Sequence, residues 1–493
     1  MKMKKLLSLL LAGTMLLSMA ACGASESGGG TNPEDIGHAP VSAPPSYAAY
    51  EVAKAELPSL PEKPNYADVE KAIDALDVAV LGENGVNKET QKLMDEFYKD
   101  LEAYENAVSE LKGDGINQKY ANPMSQYTTK TANAIFGENS GKNVAYSPAN
   151  LYLALCMLCE TTDGASRGQV MDLLGLKSID DVRALSGELW RNLYLEEDGS
   201  KTLLANSMWL NENIPFKPAT LDRLAKDYYA SGFSVPMGAE ETDKAIQAWV
   251  NEHTGGLLKD AAGGIKTDAK TVLSLISTIY FKDGWCDRFD EYATQDDKFT
   301  NADGKKAEVP FMHLTQDHAA YFHSNEGYTM AELAMESGAK MRFLLPDEGT
   351  SLKSLVAEGK VAGGLLSYDM GIDLPLGKIK WSVPKFDVNS DLDMIETMRG
   401  LGVSDIFDDS KADFSPLADT ADPMVVSSIQ HAGRVKIDEN GCEAAAFTNI
   451  MVGLTALPPQ NIKEIEMNLN RPFAFMITGT DGMPLFMGLV NEM

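Results

Sequence analysis

Two pairs of residues in this sequence have types and spacings that could support chemistry. Cys156 and Cys159 have the spacing of a redox-active thiol pair, and His318 and His323 could ligate a metal ion. The cysteines lie inside an apolar helical run without a Gly or Pro turn to expose a thiol, so we expect them to pack as small apolar groups. The histidines lack the spacing of a metal-binding pair on one helix. The sequence therefore predicts neither a redox centre nor a metal site here.

An acidic stretch at 387–393 begins like a calcium-binding loop. Leu392 stands where such a loop needs glycine, and Met398 stands where it needs a bidentate glutamate. The sequence also contains no phosphate-binding Gly-rich loop, no HExxH pair and no Gly-x-Ser-x-Gly nucleophile motif. We therefore expect a protein that is not an enzyme and holds no metal and no cofactor. A surface hydrolase whose triad is assembled from distant residues is the alternative that a motif search leaves open.

The N-terminus has the features of an export signal. A basic start is followed by an apolar run at 6–17 that is too short for an ordinary membrane span, and small residues precede Cys22. This ending resembles a bacterial lipobox, which implies that a signal peptide of residues 1–21 is removed and that the Cys22 sulfur carries a diacylglycerol. The expected location is extracytoplasmic, anchored to the cell membrane. An ordinary secretory signal that ends near a cysteine is the alternative.

Composition indicates the domain plan and the class of partner. The 493 residues are 44% hydrophobic, which suits one large globular domain with a smaller appendage. Lys and Arg total 43 against 72 Asp and Glu, and the resulting net charge of −29 repels nucleic acid and anionic lipid headgroups. We therefore expect no nucleic-acid partner, and membrane contact through the lipid anchor only.

Three segments follow the signal. Residues 22–64 are rich in Pro and Gly, which predicts a flexible tether. Residues 65–122 contain two amphipathic stripes typical of an α-hairpin, which must either dock on the main domain or bind a partner. Docking is the default interpretation. Residues 123–493 carry the main domain.

The main domain mixes helical and strand periodicities. Helical patterns concentrate before residue 260, and strand patterns cluster later in the chain, which predicts an α+β fold with largely antiparallel sheets. The clearest strand patterns are 201–210, 272–281, 341–345, 379–386, 425–437 and 472–478.

Short motifs from residue 123 to the C-terminus follow one another in a characteristic order. They are Asn143-Val-Ala-Tyr-Ser147-Pro148, 163–167, 246–256, 280–285, 344–347, 384–386, 470–473 and 484–488. Each fragment alone is weak, but their order and spacing resemble those of the serpin family of protease inhibitors. The resemblance implies helices packed on mainly antiparallel sheets, including a large central sheet, and an exposed reactive-centre loop near the C-terminus. We expect a monomer.

The resemblance also implies a region where the central sheet opens, formed by Ser147, Asn150, Ser277, Trp285 and His431. Serpins commonly place Ser on the buried helix and Asn on the neighbouring strand of this region. Here the matching positions are Asn150 and Ser277, so the amide and the hydroxyl are exchanged. A buried amide needs a partner wherever it lies, and our hypothesis is that the exchange keeps the same hydrogen bond from the opposite side.

The segment 431–448 resembles the strand and hinge that open the reactive loop. The hinge residues are Glu439, Gly441, Cys442, Glu443, Ala444, Ala445, Ala446 and Thr448. In the family, the cleaved loop slides into the sheet, and small side chains at alternate inward positions admit it without splitting the core. The inward parity from Cys442 holds only small uncharged residues, and Phe447 falls on the other parity. An ordinary Gly- and Ala-rich surface loop is the alternative.

The scissile bond is located by two spacings. The family spacing counted on from Gly441 and that counted back from Pro458-Pro459 both reach Thr455, which predicts cleavage at Thr455-Ala456. Because Thr455 is small and uncharged, we expect elastase-like or subtilisin-like target proteases. The implied function is a suicide-substrate inhibitor of serine or cysteine proteases that traps the acyl-enzyme by inserting its cleaved loop. The alternative is a non-inhibitory serpin that acts as a surface binding module.

Overall fold

A computed structural model gives the structure of residues 47–58, 64, 88–113, 115–196, 199–367, 374–420, 423–442 and 463–493. These residues belong to two compact units. The first unit includes helix α1 (Lys88–Lys112), which matches the second stripe of the predicted hairpin. The first stripe lies outside the described residues. The second unit, the main body, comprises the described residues within 40–56, 116–445 and 455–493.

The main body contains both helices and strands. Its helices are α2 (Ala121–Glu138), α3 (Pro148–Thr161), α4 (Gly164–Leu174), α5 (Ile179–Leu193), α6 (Pro218–Asp227), α7 (Glu240–His253), α8 (Lys259–Ala262), α9 (Leu352–Ala357), α10 (Lys360–Ser367) and α11 (Ile395–Gly400). Its strands are β1 (Glu51–Ala53), β2 (Val144–Tyr146), β3 (Leu195–Glu196), β4 (Lys201–Asn211), β5 (Ala230–Val235), β6 (Leu273–Gly284), β7 (Gln295–Thr300), β8 (Lys306–Ser324), β9 (Tyr328–Ala334), β10 (Lys340–Pro346), β11 (Leu376–Pro384), β12 (Phe386–Asp393), β13 (Gln430–Ile437), β14 (Gly441–Cys442), β15 (Glu464–Asn468), β16 (Phe473–Thr478) and β17 (Pro484–Val490).

The large sheet has the strand order β1-β5-β4-β6-β14-β13-β12, and β3 pairs with β4. Neighbouring strands run antiparallel except β4 and β5, which are parallel. Over the described residues, the two long strands β6 and β13 are joined through the short strand β14 and not directly. The sheet is therefore made of two halves, β1-β5-β4-β6 and β13-β12, with β14 between them.

The second sheet has the order β15-β11-β8-β9-β10-β16-β17-β2, and β7 pairs with β8. Its pairs are antiparallel except β11 and β15. Helices together with mainly antiparallel sheets confirm the predicted α+β fold. The strand predicted at 379–386 is divided at Lys385 into β11 and β12, and that predicted from 425 begins only at Gln430.

Helix α3 forms the centre of the core and contacts both β6 and β17. It begins at Pro148, and the Ser147 hydroxyl caps it by accepting a hydrogen bond from the Asn150 backbone N–H at 3.1 Å. Cys156 and Cys159 are fully buried on this helix, as the sequence predicted. Burial raises the pKa of the Cys159 thiol to about 12, so this residue is an unreactive packing group.

The N-terminal segment 47–56 belongs to the main body, which corrects the prediction of a flexible tether for these residues. Strand β1 pairs with β5, with Ala53 opposite Gly232. The Tyr47 hydroxyl donates to Glu252 at 2.5 Å, and its ring packs edge-on against Phe233. The Pro-rich composition predicts a chain without fixed structure. These residues are nevertheless ordered, because the exposed edge of β5 provides hydrogen-bond partners for their backbone.

Candidate loop-insertion site

The hinge enters the large sheet as strand β14. Cys442 lies opposite Asp283 of β6 on one side and Ile437 of β13 on the other. Gly441 pairs with Gly284, and a Cβ at Gly441 would lie only 2.1 Å from the Asp283 carbonyl oxygen. Only glycine therefore fits at this position of the hinge.

An ion pair fixes the turn between β13 and β14. Glu439 is buried, and its carboxylate contacts the Lys385 ammonium at 2.6 Å and accepts from the Thr294 hydroxyl at 2.7 Å. Burial acts to raise the pKa of Glu439, but the bonds from Lys385 and Thr294 outweigh it and hold the pKa below its ordinary value. Glu439 is therefore a carboxylate at neutral pH and ties the end of β13 to the start of β12.

Trp285 stands at the end of β6 beside the same turn. Its indole N–H donates to the Asp438 carbonyl at 2.8 Å, and its backbone N–H donates to the Asn440 carbonyl at 3.0 Å. The ring is buried and packs edge-on against Phe289. Trp285 thus orients the turn from which the hinge departs, next to the point at which β14 meets β6.

His431 and Ser147 meet beneath the sheet. The Ser147 backbone N–H donates to the His431 Nε2 at 3.0 Å, which requires a neutral ring with its proton on Nδ1. Burial lowers the pKa of His431 to about 4, so the ring is neutral at physiological pH. This contact fastens the N-terminus of α3 to β13.

The exchanged pair does not form the expected hydrogen bond. Neither the Asn150 Oδ1 nor the Ser277 hydroxyl has a hydrogen-bond partner, although both atoms are buried. The hypothesis that the exchange preserves the bond is therefore wrong in this structure. Asn150 lies in the first turn of α3 and lines the cavity between β6 and β13 instead of reaching Ser277.

That cavity separates the two halves of the large sheet beside β14. It is lined by Asn150, Thr254, Leu257, Leu258, Ile279, Phe281, Ala432, Gly433, Arg434, Val435, Cys442, Ile477 and Phe486. The lining is mostly apolar, and the backbone is close-packed behind Gly433, where a Cβ would lie 2.7 Å from the Ala145 carbonyl oxygen. A strand that entered here would need small, uncharged inward side chains, because the surroundings are close-packed.

Asp283 is a site residue that sequence analysis missed. It is 2% exposed and accepts hydrogen bonds of 2.5 Å from both the Ser200 and the Ser337 hydroxyls. Burial, the largest cause, raises the pKa of this carboxyl to about 6. One feature of the sequence indicated that Asp283 is buried. It lies two and four residues after Phe281 and Ile279 on β6 and therefore shares their inward face.

The other predicted site residues lie outside the described residues. They are Cys22, Glu443, Ala444, Ala445, Ala446, Thr448, Thr455 and Ala456. The acidic stretch 387–393 forms strand β12, whose side chains alternate between two faces. The described part of the chain contains no group of three or more His, Cys, Asp or Glu residues that could hold a metal ion. Among the helices that the structure describes, none combines the length and apolarity needed to cross a membrane.

Comparison with known proteins agrees with this arrangement. The chain matches the family described as Serpin (serine protease inhibitor) over residues 83–493. Serpin-Z2A of Triticum aestivum is 30% identical, over 72% of this chain and 90% of that protein. Serpin-ZX of Arabidopsis thaliana is 26% identical, over 75% of this chain and 97% of that protein. The solved native state of the thermophilic serpin tengpin is 25% identical, with a TM-score of 0.68 over 77% of this chain and 96% of that one. The chain therefore belongs to the serpin family.

Proposed function

We propose that this protein is a suicide-substrate inhibitor of serine or cysteine proteases. The observation that carries the proposal is strand β14, because the first hinge residues already pair with both β6 and β13. The cavity beside β14 continues between the same two strands and is lined mostly by apolar side chains. A loop that extends β14 would complete hydrogen bonding along both strands, whose backbone groups otherwise require other partners.

The inhibitory step that we propose makes use of this geometry. The protease nucleophile attacks the Thr455 carbonyl, the Thr455-Ala456 bond breaks, and the new amine of Ala456 leaves with a proton. The protease is then an ester or thioester of Thr455. Once the bond is cut, the segment from Cys442 to Thr455 is free at one end and can extend β14 between β6 and β13. The attached protease is carried along before water hydrolyses the acyl bond.

The composition of the hinge supports inhibition over a purely structural role. The inward parity that begins at Cys442 continues through Ala444, Ala446 and Thr448, and none of these side chains is charged or large. Glu443 falls on the outward parity. A non-inhibitory serpin has no need for this pattern, so a surface binding module is the less favoured function.

We also propose target class and location from the sequence. Thr455, preceded by Gly453 and Leu454, suits proteases with shallow apolar primary pockets, such as elastase-like and subtilisin-like enzymes. The ending at Cys22 supports a lipid-anchored, extracytoplasmic protein whose signal peptide is residues 1–21. The protein would then meet its target proteases outside the cell.

A protease panel tests the function directly. The protein is incubated with pancreatic elastase, subtilisin, chymotrypsin and trypsin, and the products are separated on denaturing gels. We expect a covalent complex with elastase or subtilisin and a new N-terminus at Ala456 by mass spectrometry. Loop cleavage by every enzyme without any covalent complex would contradict inhibition and favour the binding module.

Ala444→Arg is the matched variant for this experiment. A cationic side chain on the inward parity must be desolvated during insertion, at a cost of several kcal/mol. Insertion then becomes slower than hydrolysis of the acyl-enzyme. The variant should be cleaved at the same bond with full recovery of protease activity. Ala445→Arg, on the outward parity, is the control and should retain complex formation.

A further inference from the structure

Arg434 joins β13 to β12 and to the turn that follows α7. Its Nε and Nη2 donate to the two carboxylate oxygens of Asp387 on β12, at 2.7 and 2.6 Å. Its Nη1 donates to the Leu257 carbonyl at 3.1 Å. The bidentate pair with Asp387 fixes the plane of the guanidinium and aims the third nitrogen at the carbonyl.

Leu257 belongs to the turn that connects α7 to α8, and this turn is attached to the opposite half of the sheet. Trp249 of α7 packs in one cluster with Trp209 of β4 and Phe233 of β5. Past the end of α7, the chain lies directly on β6, where a Cβ at Gly255 would be 2.7 Å from the Tyr280 ring. The bond from Arg434 to Leu257 therefore spans the cavity between the two halves.

The length of this bond depends on the width of the sheet. With β14 between them, β6 and β13 are separated by two strand spacings of about 4.8 Å each. If β6 and β13 paired directly, the two halves would approach by one spacing, about 4.8 Å. A hydrogen bond of 3.1 Å loses its geometry under a displacement of that size. The contact is compatible with the expanded sheet and not with the closed one.

We propose that Arg434 is a positioning residue that stabilises the expanded, strand-accepting form of the large sheet. The clasp, defined as Arg434, Asp387 and the Leu257 carbonyl, holds the α7–α8 turn over the strand that enters between β6 and β13. The inference rests on the proposed inhibitory function and assigns one residue of this chain to control of the insertion step. Loss of the clasp slows insertion, so that more of the protease completes hydrolysis and escapes.

The test compares Arg434→Leu with Lys436→Leu in the full chain. Lys436 is exposed on the same face of β13 and lies opposite Asp387 on β12, so its removal takes one positive charge from beside the clasp but leaves the bonds of Arg434 in place. The direct readout is the rate at which a synthetic peptide of residues 442–455 anneals into the uncleaved protein, followed by native gels and the thermal midpoint. The second readout is the ratio of cleaved inhibitor to covalent complex with elastase.

We expect Arg434→Leu to slow peptide annealing by about tenfold, the size of effect for one lost hydrogen bond to a charged group, and to raise the ratio of cleaved inhibitor. Lys436→Leu should leave both readouts at the wild-type value. Arg434→Lys keeps a cation for Asp387 but loses the bidentate geometry, and it should also slow annealing. This variant carries the test if Arg434→Leu does not fold.

Two results would contradict the proposed role of the clasp. One is wild-type annealing in both Arg434 variants, and the other is an equal slowing in Lys436→Leu. A failure of the proposed function is distinguishable, because the wild-type protein would then neither anneal the peptide nor form a covalent complex with any protease of the panel.

Discussion

Two buried ionisable residues near the insertion site have pKa values that move in opposite directions. Burial lowers the pKa of His431 to about 4 and raises that of Asp283 to about 6. The neutral histidine contributes stability that is complete above pH 6.5 and is lost as the pH falls towards 4. The buried Asp283 carboxyl contributes stability that is present below pH 3.8 and is lost as the pH rises through 6.

The contributions of His431 and Asp283 to the pH dependence of stability should nearly cancel in the wild-type protein. The variant Asp283→Asn tests this, because it removes one of the two titrating groups. Each shift corresponds to about 3 kcal/mol at 1.36 kcal/mol per pKa unit, so the wild-type unfolding free energy should show little net dependence on these two groups between pH 6.5 and 4. In Asp283→Asn, whose Oδ1 can accept from one serine and whose Nδ2 can donate to the other, only the histidine remains, and stability should fall by about 3 kcal/mol over that interval. Urea unfolding at pH 7, 5.5 and 4.5 measures it. A variant with the wild-type pH profile would refute the assignment.

The lack of space for a side chain at Gly441 leads to a second prediction about a single residue. Gly441→Ala places a methyl group 2.1 Å from the Asp283 carbonyl oxygen, so β14 cannot keep its register with β6. We expect a hinge that no longer pairs, loop cleavage without covalent complex, and faster exchange of the Trp285 amide, which donates to the Asn440 carbonyl next to Gly441. Gly137→Ala is the control, because a Cβ there meets nothing within 4 Å. Equal complex formation by Gly441→Ala would show that β14 is dispensable for insertion.

Between elements, a buried carboxylate joins three helices. Glu160 at the end of α3 is 1% exposed and contacts Arg183 of α5 at 2.8 Å and Arg223 of α6 at 3.0 Å. Tyr228 donates to the same carboxylate at 3.0 Å. Removal of the carboxylate takes a hydrogen-bond partner from the buried Tyr228 hydroxyl and from two guanidinium groups that are only partly buried, at 27% and 43% exposed.

Glu160→Ala should therefore lower the free energy of unfolding by about 1.5–3 kcal/mol. The control is Asp180→Ala, because Asp180 pairs with the same Arg183 but its side chain is 85% exposed, and an exposed ion pair contributes at most about 1 kcal/mol. Chemical unfolding of both variants at neutral pH measures the difference. Equal losses in the two variants would contradict the role assigned to burial.

Some of these elements follow from local sequence and others do not. Helix α3 was predictable because its cap, its N1 proline and its apolar run are adjacent in the chain. Strand β14 was predictable from the family pattern around Gly441. Strand β1 was not, because three residues gain their stability from the edge of β5, far away in sequence. The environment of Asp283 was equally hidden, since it depends on Ser200 and Ser337, which only the fold brings together.

For the whole molecule, the net charge and the proposed lipid anchor determine how the protein attaches to a membrane. The net charge of −29 gives a protein that anionic headgroups repel, so no electrostatic attraction can replace a lost lipid anchor. A diacylated Cys22 would provide two chains, which is enough for stable membrane attachment where one chain is marginal. The net charge and the proposed lipid anchor together predict that membrane association depends on a single sulfur atom.

Cys22→Ser should therefore release the protein completely into the soluble fraction, at low and at high salt alike, because only the lipid holds it. The measurement is partition into the detergent phase and into the membrane pellet of cells that process lipoproteins, with mass spectrometry of the mature N-terminus. Cys442→Ser is the control, because this cysteine is buried in β14 and should not affect partition. Complex formation with elastase should be equal for the released and the anchored protein, since the insertion site lies wholly within the main body. Retention of Cys22→Ser on membranes would contradict the anchor, and release only at high salt would show that charge, not lipid, holds the protein there.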